Sequence, residues 1–191
     1  MRCLICGKIS FVAFCKHCLE DLVLQPKVRK LDENFSVYSF YAYEEISHLL
    51  YAKYEIFGSR IYEILAKEAV RFLKQALDSP INACGIGIDD RVERVGYAHN
   101  GIFLKSLTKV GIKPIYGALY ATNPITYAGK SLQFRKENPR HFVLRRKCQN
   151  QMIFLVDDIV TTGLTLLEAK RFLESYDNEV KGAFVLSDAR E

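Results

Sequence analysis

Five apolar residues run unbroken from Met152 to Val156 before the chain turns polar at Asp157. Such a run predicts a strand buried on both faces of a sheet, and the amphipathic stretch from Leu166 to Leu173 predicts the helix that follows it. Phe35 to Tyr43 alternates well enough for a strand rich in aromatics. With Ser59 as N-cap, Ile61, Ile64, Leu65, Phe72, Leu73 and Ala76 recur at helical spacing until Asp78-Ser79-Pro80 ends the run. Ile81 to Ile88 reads as a strand, Ile102 to Val110 as a helix, Ile112 to Tyr120 as a strand, and Phe184 to Leu186 as part of a last one. Strands alternating with helices imply an α/β fold with a parallel sheet.

Composition narrows the class. The chain has 191 residues, 49% hydrophobic and 26% charged, which suits one compact domain with a small appendage rather than a disordered or fibrous protein. No apolar run approaches the roughly 18 residues that span a bilayer, and the first residues are too polar for a signal peptide. No membrane insertion and a cytoplasmic location are expected. The net charge of +5 is compatible with an anionic partner, but many proteins without a nucleic-acid role are as basic.

The strongest chemical signal follows the apolar run. Asp157 and Asp158 come first, then Thr161, Thr162, Gly163 and Thr165 around the start of the expected helix. Ligands of open α/β sheets bind at the C-terminal ends of the strands. Free backbone N–H groups, the helix dipole and short hydroxyls favour a phosphate there, while carboxylates accept hydrogen bonds from sugar hydroxyls. A phosphorylated ribose satisfies both halves. The competing reading is an Asp turn and a Thr cap. The segment resembles the phosphoribosyl pyrophosphate (PRPP) signature of type I phosphoribosyltransferases. That resemblance implies that Asp157 and Asp158 hold the ribose 2′- and 3′-hydroxyls, that Thr161, Thr162, Gly163 and Thr165 cradle the 5′-phosphate, and that Mg2+ accompanies PRPP.

The cysteines form a second signal. Cys3-x-x-Cys6 and Cys15-x-x-Cys18 are paired knuckles of the kind that present four thiolates tetrahedrally to a structural zinc. Disulfides are the alternative, disfavoured in a reducing compartment. His17 is expected to be exposed and unligated, and Cys84 and Cys148 to be packed or free thiols. Residues 1–30 are expected to form a metal-stapled module and 31–191 the larger domain, with Gln25 to Lys30 as a polar connector.

Both motifs together resemble the ComF/GntX family, in which a four-cysteine zinc module precedes a type I phosphoribosyltransferase-like domain. Leu50-Tyr51-Ala52-Lys53-Tyr54 is similar to the family's Leu-Lys-x-x-Lys-Tyr segment, and Arg135-Lys136-Glu137-Asn138 with Phe142 to its Arg-x-x-Asn and following Phe. One region departs: Gly85-Ile86-Gly87-Ile88 and Val95-Gly96-Tyr97-Ala98-His99 replace Pro-Val-Pro-Leu and Arg-Gly-Phe-Asn-Gln. In type I enzymes this loop contacts pyrophosphate. Here it carries Asp89 and Asp90, which repel a diphosphate unless Mg2+ intervenes, with Arg91 and Arg94 as counter-charges; a solvated turn is the other reading.

Lys130, Arg135, Lys136, Arg140, Arg145, Arg146 and Lys147 face one acid, Glu137, across the next connection, with Tyr127, Phe134, His141 and Phe142 interleaved. Cations track phosphates and aromatic faces stack bases, so Lys130, Phe134, Arg135, Lys136 and Arg140 are candidate contacts to single-stranded DNA. The same composition suits a lid over a phosphorylated ligand, or a silent loop. The family resemblance implies a competence protein acting on single-stranded DNA during natural transformation, with other DNA-uptake proteins as partners. An active phosphoribosyltransferase and a PRPP-sensing regulator are the alternatives.

Overall fold

The structure is a computed structural model, and it describes residues 1–89, 92, 96–123 and 131–190. A six-stranded sheet forms the centre: β1 (Lys27–Asp32), β2 (Phe35–Ala42), β3 (Ala83–Gly87), β4 (Ile112–Pro114), β7 (Met152–Val160) and β8 (Glu179–Asp188). Its spatial order is β1-β2-β8-β7-β3-β4. Only β1 is antiparallel to its neighbour; β2, β8, β7, β3 and β4 run parallel. A separate antiparallel pair joins β5 (Leu119–Ala121) to β6 (Phe142–Leu144).

Period-two alternation divides the apolar side chains between two cores. Val156, Phe184 and Leu186 pack with α2 (Tyr43–Leu50), α3 (Gly58–Ala76) and α4 (His99–Leu107), while Leu155, Ala183 and Val185 pack with α6 (Leu164–Glu174) and the β5–β6 pair. Both faces of the parallel strands are therefore buried, as the apolar runs within them require. The sheet is mainly parallel and flanked by helices. No helix among the described residues is long and apolar enough to cross a membrane.

The segment expected as a connector is part of the sheet. Lys27 to Asp32 pairs with β2, because Val28 and Leu31 sit in an extended hairpin arm whose return strand is the apolar Phe35–Ala42. A boundary at residue 30 would fall inside this strand. Ser59 is not the N-cap: α3 begins one residue earlier, with Phe57 in the cap position and no capping side chain. Ile112 to Tyr120 divides into β4 and β5, since Pro114 ends the first ladder and a turn at Tyr116 and Gly117 redirects the chain.

Strand sequence fixes where a ligand can reach the sheet. The chain passes outward from β3 to β4, then returns to place β7 on the opposite side of β3. Such a reversal opens a crevice at the C-terminal ends of the two strands between which it occurs. Ile88 N–H donates to the Val156 carbonyl across this point at 2.9 Å. Asn100, from α4, donates its side-chain amide to the Ile88 carbonyl at 2.8 Å and reaches Asp157 Oδ1 at 3.3 Å.

Candidate functional site

The two acids sit next to each other at the end of β7 and differ in their surroundings. Asp157 and Asp158 both lie within β7, Asp157 opposite Val185 in the ladder with β8. Consecutive strand residues point to opposite faces. Asp158 is buried, and its Oδ2 receives Lys53 Nζ at 2.8 Å and the Tyr62 hydroxyl at 3.0 Å, with His99 Nε2 3.9 Å away. Its Oδ1 accepts the Ile159 N–H at 2.9 Å. Asp157 is partly exposed, and only its Oδ1 is engaged by Asn100 and by the Asp158 N–H among the contacts described. Asp157, Asp158 and His99 nevertheless bring one ligand atom each within 4.8 Å of one another at this strand end.

Electrostatics separates the acids further. Burial opposes ionisation of Asp158, yet the Lys53 ammonium, His99 and the hydrogen bonds from Lys53 and Tyr62 outweigh it and hold its carboxyl down at about 2. Burial, then repulsion from Asp158, pushes Asp157 up to about 8. Burial disfavours the Lys53 cation, but the Asp158 charge more than compensates and raises it. Tyr62 is raised by burial and by the same carboxylate, so it remains a phenol that can donate.

Downstream of β7 the chain turns at Thr161 to Gly163 and enters α6. Asp157, Thr161, Thr162, Gly163 and Thr165 line one cavity together with Ile159, Val160 and Leu166. Gly163 has φ 79° in the cap position, which strains any L side chain, and a Cβ there would lie 2.5 Å from Leu31 Cδ1, so Leu31 would have to move. The first N–H groups of α6 lack intrahelical partners and open toward this turn with the positive end of the helix dipole. Thr162 Oγ1 lies 3.4 Å from the Leu164 N–H, a long contact that leaves its hydroxyl largely free.

Two arginines brace the turn. Arg29 on β1 pairs with Asp188 at 2.9 Å and donates from Nη2 to the Thr161 carbonyl at 2.9 Å. Arg135, on α5 (Leu132–Glu137), donates to Thr161 Oγ1 at 2.5 Å. Arg135 is therefore held at the threonine turn. The base of the same connection is fixed by Glu168 on α6, whose oxygens accept the Arg140 and His141 N–H groups at 3.0 and 2.9 Å. Lys136 is exposed, Phe134 and Arg140 are half-buried, and Phe142 is a core residue rather than a stacking surface. Lys130 and Tyr127 lie outside the described residues, as do Asp90, Arg91 and Arg94. Asp89 accepts the Ala121 N–H at 2.9 Å, which assigns that carboxylate a role in tying β5 to the loop after β3.

At the N-terminus Cys3, Cys6, Cys15 and Cys18 bring their sulfurs within 4.8 Å of one another, unlinked by disulfides. Four thiolates about 2.3 Å from a central metal would be separated by about 3.8 Å. Cys6 and Cys15 are 3.8 Å apart, so the set can bind a metal ion. Burial opposes the Cys3 thiolate, but backbone N–H donors, that of Cys15 at 3.3 Å among them, win and bring it down to about 6. Burial, then hydrogen bonding with the neighbouring thiols, raises Cys18 to about 12, a shift that a cation at the centre of the cluster would oppose. His17 is exposed and contacts Asp21 at 3.5 Å. The module is not detached: Phe14 is buried in the core shared by α2, α3 and α4, with Leu4, Ala13, Leu22 and Leu24 packed beside it.

Sequence reasoning missed Tyr62 and Asn100. A buried tyrosine on an apolar helix face needs a partner for its hydroxyl, and that requirement was the available signal for Tyr62. Nothing local marks Asn100.

No protein-family model and no curated protein sequence matches the chain. Among solved structures it is similar to a hypoxanthine phosphoribosyltransferase from Staphylococcus aureus, with TM-score 0.37 and 17% identity over 66% of this chain and 62% of that one. It is similar to an adenine phosphoribosyltransferase from Saccharomyces cerevisiae at TM-score 0.44 and 12% identity, over 89% and 88%. UMP synthase of Leishmania donovani matches at TM-score 0.40 and 16% identity, over 89% and 30%. The chain spans about 62% of the length of the first of these, and the likeness is one of fold.

Proposed function

We propose that the chain binds Mg2+-PRPP, the 5′-phosphate at Thr161, Thr162, Gly163 and Thr165 and the ribose at Asp157. The single observation that supports this most is the cavity in which Asp157 and the three threonines meet the start of α6. Hydroxyls and helix N–H groups suit a phosphate, and the partly exposed Asp157 carboxylate suits a diol. Asp158 supports the reading indirectly: with both oxygens engaged inside the protein, it orients the strand end and keeps Lys53 beside the ligand edge. The magnesium would arrive on the diphosphate, whose charge Lys53, already paired with Asp158, could not balance by itself.

In this reading residues 1–30 are a zinc module, with Cys3, Cys6, Cys15 and Cys18 as ligands, and the remainder is a phosphoribosyltransferase-like domain. The biological role is that of a ComF/GntX-type competence protein, acting on single-stranded DNA during uptake. Lys136, Arg140 and Phe134 remain candidate DNA contacts. Calorimetry with PRPP and Mg2+, followed by a pyrophosphate-release assay with and without bases and oligonucleotides, tests the proposal. Binding without release fits a PRPP-dependent binding protein, and base-dependent release identifies a transferase. Absence of binding by the wild type, at ligand concentrations that saturate known PRPP sites, would refute the phosphate assignment.

A further inference from the structure

Large apolar side chains are held in water at two places. In the four-cysteine module Phe11 is 97% exposed and Ile9 83%, with Val12 exposed beside them. After α2, the short 3-10 turn Tyr51–Tyr54 and the residues that follow expose Tyr51, Tyr54, Ile56 and Phe57, Ile56 to 85%. Neither place is loose chain. The Cys3 N–H donates to the Lys8 carbonyl and the Leu4 N–H to the Ala13 carbonyl, both at 2.8 Å, and Ser10 Oγ donates to the Val12 carbonyl at 2.8 Å. In the turn, the Glu55 N–H donates to the Ala52 carbonyl at 2.9 Å and the Gly58 N–H to the Glu55 carbonyl at 3.0 Å, while the Tyr97 hydroxyl donates to the Lys53 carbonyl at 3.0 Å. Apolar groups fixed in solvent as contiguous patches mark surfaces that a partner covers.

The rims of the two patches carry opposite charge. Residues 1–19 contain Arg2, Lys8 and Lys16 and no acid, and all three cations are exposed. Around the turn Glu44, Glu45 and Glu55 are exposed against one exposed guanidinium, Arg60, because Lys53 is directed inward onto Asp158. A basic-rimmed apolar tip and an acid-rimmed apolar turn complement each other, and one chain carries both. They flank the same helices. Phe14 of the module lies in one core with Leu49, Leu50 and Ala52, and Gln25 donates to Glu45 on α2 at 2.8 Å. We propose that two copies of this chain associate through these patches, the Ile9–Val12 tip of each seated on the Tyr51–Phe57 turn of the other. Placement of both near α2 lets the two contacts form together about a two-fold axis, so that each patch meets its complement. A nucleic-acid strand would match the charge of the tip, but the acids repel it at the turn and leave those rings in water. A second copy covers both.

Analytical ultracentrifugation of the full, zinc-loaded chain across micromolar concentrations tests this. Wild type is expected to show a monomer–dimer equilibrium. Phe11→Ser should weaken it about tenfold, the scale of losing one aromatic anchor at the centre of an interface, and Tyr54→Ser with Ile56→Ser should weaken it similarly. Lys8→Glu with Lys16→Glu should weaken it too, as should Glu44→Lys with Glu55→Lys. A chain carrying all four reversals should recover most of the lost association, which loss of fold or general stickiness would not produce. A wild type that stays monomeric overturns the proposal. So does a dimer indifferent to Phe11→Ser, or a pair of reversals that fails to restore association when combined. Phe11-dependent binding of a ten-residue oligothymidylate by a monomeric chain would also overturn it and assign the tip to a strand. None of these outcomes depends on the sugar-phosphate reading of the cavity.

Discussion

Lys53 and Asp158, separated by 105 positions in the chain, meet at 2.8 Å through Nζ and Oδ2 in the interior of the site. The pair joins the turn after α2 to the middle strand of the sheet. Removing the cation leaves a buried carboxylate with its hydrogen bonds and, at the longer distance of 3.9 Å, His99. Lys53→Met should cost about 3 kcal/mol of folding stability, the scale of breaking one partner out of a buried pair. Adding Asp158→Asn should recover part of that loss. Urea unfolding of both single variants and the double measures the coupling; additive losses would show that the pair contributes nothing as a pair.

Asp157 carries the opposite expectation. Its carboxyl is raised to about 8 in the folded chain from 3.8, so the folded state keeps a proton that the unfolded state has released between those values. Its contribution is therefore neutral below pH 4 and increasingly unfavourable as pH rises toward 8. Asp157→Asn should raise the melting temperature at pH 8 by about 3 °C, with a smaller gain at pH 5. The same variant should lose the shift that Mg2+-PRPP produces in wild type. A gain independent of pH would contradict the assignment.

Asp158 responds at the acid end. Its carboxyl lies at about 2, below the ordinary value, so its stabilisation is complete above pH 4 and is lost as pH falls from 4 toward 2. Asp158→Asn should remove that acid-limb dependence and lower stability at neutral pH. Melting curves across pH 2 to 6 check the sign.

For the thiol cluster, purified protein should hold about one zinc per chain, and Cys3→Ser should lower that content because a structural zinc binds such modules with roughly 10–16 kcal/mol of apparent energy. Phe14 sits in the main core, so the loss should also reduce the melting temperature of the whole chain. Metal-free, fully folded wild type from buffer without chelator would sink the zinc assignment.

Gly163→Ala should destabilise by about 2 kcal/mol, combining a left-handed φ with a Cβ placed against Leu31. Leu31→Ala in the same chain should return the packing part and leave the conformational part. If the pair of substitutions is strictly additive, the Leu31 contact is not the cause.

Much of this was legible in the chain. The apolar run before Asp157 marked β7, helical spacing marked α3, and paired knuckles marked the thiol cluster. The period-two rule says that Asp157 and Asp158 leave the strand in opposite directions, yet at the strand's end their carboxyl oxygens still come within 4.8 Å of each other, which alternation alone does not foretell. Lys53 and Asn100 could not be linked to those acids beforehand, because each contact spans dozens of residues and depends on strand order. The connector at Gln25 to Lys30 was polar for a different reason: β1 is an edge strand, where charged side chains are ordinary.

Arg29 and Leu31, two apart on β1, both touch the threonine turn: one at the Thr161 carbonyl, the other beneath Gly163. The N-terminal segment therefore reaches past its own cysteines to hold the candidate phosphate loop. Such chains are not interchangeable cassettes. A graft that transplanted residues 1–30 onto a related domain would bring Arg29 and leave Leu31 to the host, dividing one clamp between two ancestries. A workable seam lies beyond Asp32, after the strand is complete.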